Sequence, residues 1–401
     1  MKVAGIIAEY NPFHSGHAYL AQKAKENGAT HVVAVMSGSF VQRGAPAAFE
    51  HSVRTKAALM NGIDLVLQLP AVYAVSPAQS FARAGAEIFD GTGFVDELVF
   101  GSECGDIAKI VSAADALEND SLKPLLDEEL KKGLSFAAAR ENALRKISPD
   151  SADIIKSPNN ILGVEYVSAL KKLKSRIIPV TFGRVGAEHD SHDTEENIAS
   201  ASYIRELLKG GEWKNFVPEN TVELYEKADI ADIKNIENAI LYKIRTADAA
   251  DLSNAPDISE GIENRIISAA KEAKSLSELY SFAKTKRYSH ARIRRIILNY
   301  FLGITAEDLS LPVPYIRVTG FSEKGAELIR MAKGTASLPV ITKAADIASL
   351  GENAQRIFAL ECTAGDVFAL CFDDIRPCAR KRFRGCHLSL RFPKRTYLQN
   401  R

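Results

Sequence analysis

Several ingredients are scarce in this chain of 401 residues, and each scarcity closes off a class of protein. Cysteine occurs five times, an odd and sparse count. A disulfide framework is therefore not expected, and a reducing compartment, the cytoplasm, is. Net charge is nearly absent: 51 Lys and Arg against 50 Asp and Glu leave +1. Nothing global draws the chain to nucleic acid or a membrane, so any polyanion site must come from local clustering. No apolar run approaches the length of a bilayer span. The opening "MKVAGIIAEYN" has one lysine, an acidic Glu9 soon after and no small-residue cleavage site. It is expected to be a first strand rather than a signal peptide. Internal repeats and low-complexity tracts are missing too, and the length favours two or three domains.

What is present is alternation. "KVAGIIAEY", "HVVAVMSG", "DLVLQLP" and "ELVFGSE" are short apolar runs. Between them lie "AYLAQKAKENG", "SVRTKAALMNG" and "SPAQSFARAGAEIFDG", which have helical spacing, the last with Ser76 as its expected N-cap. Strands that are continuously apolar, separated by helices, predict an α/β fold: a Rossmann-like, doubly wound parallel sheet covered on both faces. A helical stretch from about Ile107 to Arg145 follows, then a helix start in "SPNNILGVEY" and a further buried strand in "RIIPVTFGR". The nucleotide-binding domain is expected to span residues 1–210. Residues 211–371 read as mainly helical with a small α/β element near "PYIRVTGF", and 372–401 as a basic tail.

The chemistry concentrates in "IAEYNPFHSGHAYL". In a doubly wound sheet, ligands sit at the carboxyl ends of the strands. His14-Ser15-Gly16-His17 lies at such an end and opens a helix. Backbone amides at a helix start favour phosphate, Gly16 permits close approach, and two imidazoles can donate to phosphate oxygens. In an in-line displacement at an α-phosphate, donors fixed in place there lower the barrier. His14 and His17 are the catalytic candidates, as phosphate stabilisers rather than general bases. Gly101 ends a strand, either as a tight-turn glycine or where a ligand could rest on bare backbone. Asn159 or Asn160 could cap a helix or contact a ligand, and Arg184, ending another strand, could pair with phosphate or form a surface salt bridge. Ser202 could serve as an N-cap. "MSGSFVQRGAP" suggests a mobile loop near the substrate, in which Arg43 could hold a carboxylate or an RNA phosphate, or stand as a solvated loop arginine.

H-x-G-H after the first strand resembles the nucleotidylyltransferase superfamily. Its late motif, S-S-T-x-I-R in many members, is matched by Ser200-Ala201-Ser202-Tyr203-Ile204-Arg205, in which hydroxyl and guanidinium donors are retained. A closer resemblance covers nearly the whole chain. "AEYNPFHSGH", "MSGSFVQRGAPAAF", "FGSECGD", "SPNNILGVEY" and "PYIRVTGF…LPVITK" resemble the bacterial tRNA(Met) cytidine acetate ligase family. That resemblance implies an enzyme that uses ATP and acetate to form acetyl-adenylate. The acetyl group then passes to N4 of the wobble cytidine, position 34, of elongator tRNA(Met). It also implies an ATP site made of Ile7, Ala8, Glu9, Tyr10, Asn11, Pro12, Phe13, His14, Ser15, Gly16, His17, Ala18, Tyr19 and Leu20, with Gly101, Asn159 and Arg184. Ser202 and Arg205 of the late motif join that set. Mg²⁺ is expected to accompany the triphosphate, although no dedicated metal motif is visible.

An RNA surface is expected in "KTKRYSHARIRRIILNY". Arg292 and Arg295 share a helical face, Arg294 lies beside them, and Tyr288 and Tyr300 bracket the run. Such clusters neutralise phosphates, and aromatics stack on unpaired bases; the competing reading is a solvated helix face. The tail carries Arg380, Lys381, Arg382 and Arg384, either a flexible RNA-binding arm or a disordered end. Its cysteines Cys371, Cys378 and Cys386 with His387 lack the spacing of a zinc site, and no metal is assigned. Two rivals remain: a small-molecule adenylyl- or cytidylyltransferase, which would not need the basic second half, and a non-catalytic RNA-binding protein, which would not need an intact H-x-G-H. Acetate-dependent ATP–pyrophosphate exchange separates them.

Overall fold

A computed structural model of the chain describes residues 1–184, 199–377 and 388–389. The main sheet has eight strands: β1 (Val3–Ala8), β2 (His31–Ser37), β3 (Leu65–Leu69), β4 (Glu97–Ser102), β5 (Ile178–Gly183), β6 (Ile316–Phe321), β7 (Val340–Ile341) and β8 (Leu388–Ser389). They lie in the order β8-β6-β3-β2-β1-β4-β5, with β7 on β6. Strands β1 to β5 are all parallel.

Residues alternate between two cores, which explains why the strands read as continuously apolar. Val3 and Ile7 of β1, Val33 and Val35 of β2, and Leu65, Leu67 and Leu69 of β3 face one core. Ala4, Ile6, Val32, Ala34, Met36 and Val66 face the other. Helices Ala78–Thr92 and Pro158–Leu173 cover the first face, and α1 (Ser15–Glu26) with helix His51–Met60 covers the second. The order 3-2-1-4-5 reverses between β1 and β4, which is where a doubly wound sheet opens its ligand crevice.

Several local expectations change. Strand β6, expected within a small separate α/β element, pairs antiparallel with β3 in the main sheet. It closes an edge that β3 would otherwise expose. Trp213, Val217 and Tyr225 pack on the same face as α1, so a boundary at residue 210 cuts through one core. Strand β5 borders the sheet and is only half-buried, with Ile178 60% exposed. Ser76 does not cap helix Ala78–Thr92; Pro77 occupies the cap position and the Ser76 hydroxyl donates to the Tyr73 carbonyl at 2.6 Å. The segment after β2, expected to be a mobile loop, is a packed hairpin in which Phe40–Val41 pairs with Ala45–Pro46. Phe40 is buried there, edge-on to Phe368 of the helix Glu352–Phe368.

Candidate active site

The His14-x-x-His17 turn is built by mutual capping. His14 is the N-cap of α1, and its Nδ1 accepts from the Gly16 amide at 3.1 Å. His17 returns the bond, its Nδ1 accepting from the His14 amide at 3.2 Å. The rings lie 3.7 Å apart between centroids and tilt by 30°. Burial lowers the His14 pKa to about 3, helped by the charges of Arg184 and Arg205. Burial, then His14 and Arg184, holds His17 well below the usual imidazole range. Both rings are therefore neutral near pH 7. With Nδ1 occupied as an acceptor on each, the single proton of each ring sits on Nε2. The helix start thus offers two imidazole N–H donors, and the Gly16 amide, expected to meet phosphate, is taken by His14. Tyr10 stacks edge-on against His17 at 4.8 Å, and the Tyr225 hydroxyl donates to the Phe13 carbonyl at 3.0 Å, fixing the turn from behind.

A cavity of about 250 Å³ lies at the carboxyl ends of β1 and β4. It gathers Ile7, Ala8, Glu9, Tyr10, Asn11, His14, Gly16, His17, Tyr19 and Leu20 with Gly101, Asn159, Arg184, Ser202 and Arg205. Of the first segment, Pro12, Phe13, Ser15 and Ala18 belong to the turn without lining the cavity. Glu103 accepts from the Asn159 side chain at 2.7 Å, and the side-chain Oδ1 of Asn159 accepts from Arg184 at 3.0 Å. Of the two neighbouring asparagines, Asn159 lines the cavity, while Asn160 is buried and accepts from the Cys104 amide at 3.1 Å. Neither caps the helix: Ser157 holds the cap position and Pro158 the first turn. A Cβ at Gly101 would stand 3.3 Å from Arg184 Cγ, so a side chain there would crowd the guanidinium's stem.

Arg205 donates to the Asn11 carbonyl at 2.8 Å and to Ser202 Oγ at 3.2 Å. Ser200, not Ser202, caps helix Ala201–Leu207 by accepting from the Tyr203 amide, and Ser202 lines the cavity.

Sequence reasoning missed two groups. Phe81, Phe100, Leu162, Tyr166 and Phe182 form an apolar wall, and in sequence they are indistinguishable from core residues. Arg54 is fully buried and donates to the carbonyls of Glu9, Ser37, Gly38 and Phe49. It ties the end of β1 to the hairpin. Burial lowers its pKa to about 10, which leaves it charged near neutrality. The Gln42 amide donates to Glu9 at 2.8 Å across the same junction.

The basic run forms helix His290–Leu302, and it divides. Arg292 and Arg295 do share a face, and both bind Asp257 at 3.2 Å. Arg292 also lies 4.2 Å over the ring of Tyr288. Tyr288 is buried, with its hydroxyl against Ser259, so it presents no stacking face. Tyr300 is half-buried beneath Lys243. Arg294 alone of the three arginines is exposed. Among the described residues no group of three or more His, Cys, Asp or Glu side chains could hold a metal. Cys371 is buried, and Arg380, Lys381, Arg382, Arg384, Cys378, Cys386 and His387 lie outside the described residues.

Known proteins resemble both the sequence and the fold. The HIGH Nucleotidyl Transferase family matches residues 1–382. A tRNA(Met) cytidine acetate ligase of Caldanaerobacter subterraneus is 41% identical over 388 residues, covering 93% of this chain and 96% of that one. The chain belongs to the tRNA(Met) cytidine acetate ligase family. A second ligase of that name, from Acetivibrio thermocellus, is 38% identical over 95% of this chain and 97% of its own. Two crystal structures of Thermotoga maritima TmcAL share the ligase fold. The form bound with alpha-thio ATP superposes with a TM-score of 0.88 at 30% identity, covering 96% of this chain and 97% of that one. The apo form gives 0.91 at 31%, covering 98% and 100%.

Proposed function

We propose that this member of the family activates acetate with ATP and acetylates N4 of the wobble cytidine, position 34, of elongator tRNA(Met). The observation that carries the reading is the convergence of His14, His17, Arg184 and Arg205 on one cavity at the sheet's switch point. An acetate oxygen attacks the α-phosphorus of ATP; the phosphorus–oxygen bond to pyrophosphate breaks as the mixed anhydride forms. Charge grows on the phosphate oxygens, where the two Nε2–H donors and the guanidiniums stand ready without reorganisation. The acetyl carbonyl then accepts the cytidine amine: a carbon–nitrogen bond forms, the carbon–oxygen bond to AMP breaks, and the amine loses a proton.

The apolar wall of Phe100, Leu162 and Phe182 suits the adenine ring, and it keeps water from the anhydride. Asn159 is the asparagine placed to meet the nucleotide. Mg²⁺ would travel with the triphosphate and supply charge neutralisation there. On the RNA side, Arg294 is the arginine open to a phosphate, while Arg292 and Arg295 position its helix through Asp257. ATP, acetate and tRNA place the reaction in the cytoplasm; no described helix is long and apolar enough to cross a membrane.

The test is mass analysis of nucleosides from tRNA(Met) incubated with the protein, ATP and acetate. N4-acetylcytidine should appear, and should vanish when either ATP or acetate is omitted. Unmodified cytidine in the complete mixture would reject the reading.

A further inference from the structure

A second cavity, of about 440 Å³, opens beside the first. The two share Asn11, Arg43, Ser200, Ser202 and Arg205, so they meet along the side that carries Arg205. Three distant stretches build the second one. The hairpin supplies Val41, Ala45 and Pro46 as an apolar side; helix Ala201–Leu207 supplies Tyr203 and Glu206; helix His290–Leu302 supplies Arg294.

The hairpin and that helix are in backbone contact. Gly44 has φ +72°, and a Cβ there would lie 2.7 Å from the Arg294 carbonyl carbon and 2.8 Å from the Arg295 nitrogen. Only glycine lets the turn lie so close. The contact sets Arg43 and Arg294 on one rim.

An apolar side, an aromatic ring and guanidiniums at the rim are what a single unstacked nucleotide requires. Its base stacks or packs on the ring and the apolar surface, and its phosphate pairs with arginine. Acetate is far too small to fill such a space. The nucleobase of ATP has its own apolar wall in the first cavity.

Resting on the ligase reading above, we propose that the second cavity is the acceptor site. It takes one nucleotide unstacked from the RNA, with the base between Tyr203 and the hairpin and the phosphate on Arg294. The amine then reaches the acyl group across the wall that the two cavities share. Selection of the acceptor lies in this cavity, and the length of the RNA docks outside it.

The experiment compares wild type, Arg294→Gln and Arg294→Lys in two assays: acetate-dependent ATP–pyrophosphate exchange without tRNA, and initial rates of N4-acetylcytidine formation against tRNA(Met) concentration. Loss of one charge-assisted phosphate contact should raise the KM for tRNA about tenfold in Arg294→Gln, with exchange held within about twofold. Arg294→Lys keeps the charge and should recover most of that loss. An unchanged KM in Arg294→Gln, with wild type active, would overturn the acceptor-site assignment and leave the ligase reading standing. Loss of exchange in Arg294→Gln would overturn it as well, by giving the cavity to adenylation. A wild-type protein that makes no N4-acetylcytidine would instead fail the ligase reading itself.

Discussion

The turn after β1 and the helix His290–Leu302 are both conspicuous in sequence, yet they behave differently in the fold. At the turn, the two histidines of the motif meet, cap each other and line one cavity. On the helix, two of three arginines turn onto a single internal partner, Asp257. The first signal is positional. A strand end in a parallel sheet has a fixed place in the fold, so residues there are found where they are expected. The second signal is compositional. A run of charge says nothing about which members are already paired by a carboxylate some 35 residues away.

The largest effect should break the turn. His17→Ala removes one donor from the proposed phosphate site and should lower adenylate formation by roughly 10²–10³-fold, as loss of an oxyanion donor does. Filter binding of tRNA should be unchanged; weakened tRNA binding would mean that the turn serves the RNA. The corresponding break on the helix is Asp257→Ala. It leaves two guanidiniums without their carboxylate and should cost about 2 kcal/mol of stability, less than a fully buried pair because both keep some contact with water. Urea unfolding checks it, and a midpoint equal to wild type would show that the arginines are held by other groups.

The contact between hairpin and helix can be opened by Gly44→Ala. The left-handed backbone alone costs about 1–2 kcal/mol for an alanine, before the clash with Arg294 is relieved. The KM for tRNA should rise several-fold, to a smaller extent than in Arg294→Gln because the guanidinium is displaced rather than removed. An unaltered KM would show that the rim does not depend on this contact.

The pH dependence of stability offers a last test. His14, with its pKa lowered to about 3, and His17 and His51, lowered likewise by burial, are neutral in the fold but protonate in the unfolded chain near 6.5. The unfolded state thus binds more protons below that pH. No penalty applies above it, and stability should fall as pH drops below about 6.5. Denaturant midpoints between pH 7 and 5 measure the slope. His14→Gln should flatten it, and an unchanged slope would place the titration elsewhere.

The alternation of strand and helix was legible because buried strands and amphipathic helices leave different apolar periods in the sequence. The pairing of β6 with β3 was not, since the two are joined only by the sheet itself and lie some 250 residues apart. Among the cavity-lining residues, His14 and His17 were suggested by a strand end and a helix start, whereas Gly101, Arg184 and Arg205 were singled out by the family resemblance. Arg54 was not, because nothing local marks an arginine whose partners are four carbonyls brought together by folding. The hairpin misled for a related reason: its glycines suggest freedom, but Gly44 is there to permit close contact. Asn159 and Asn160 could be told apart only once the helix start was seen to aim one at the cavity and bury the other.

The central claim is that two neutral imidazoles at the end of β1 serve the activation of acetate. Pyrophosphate exchange into ATP, followed as acetate is titrated into wild type and His17→Ala in parallel, tests it most directly. Exchange should require acetate in wild type and fall at least about 100-fold in the variant. Exchange that proceeds equally well without acetate, or that survives loss of His17, would contradict it.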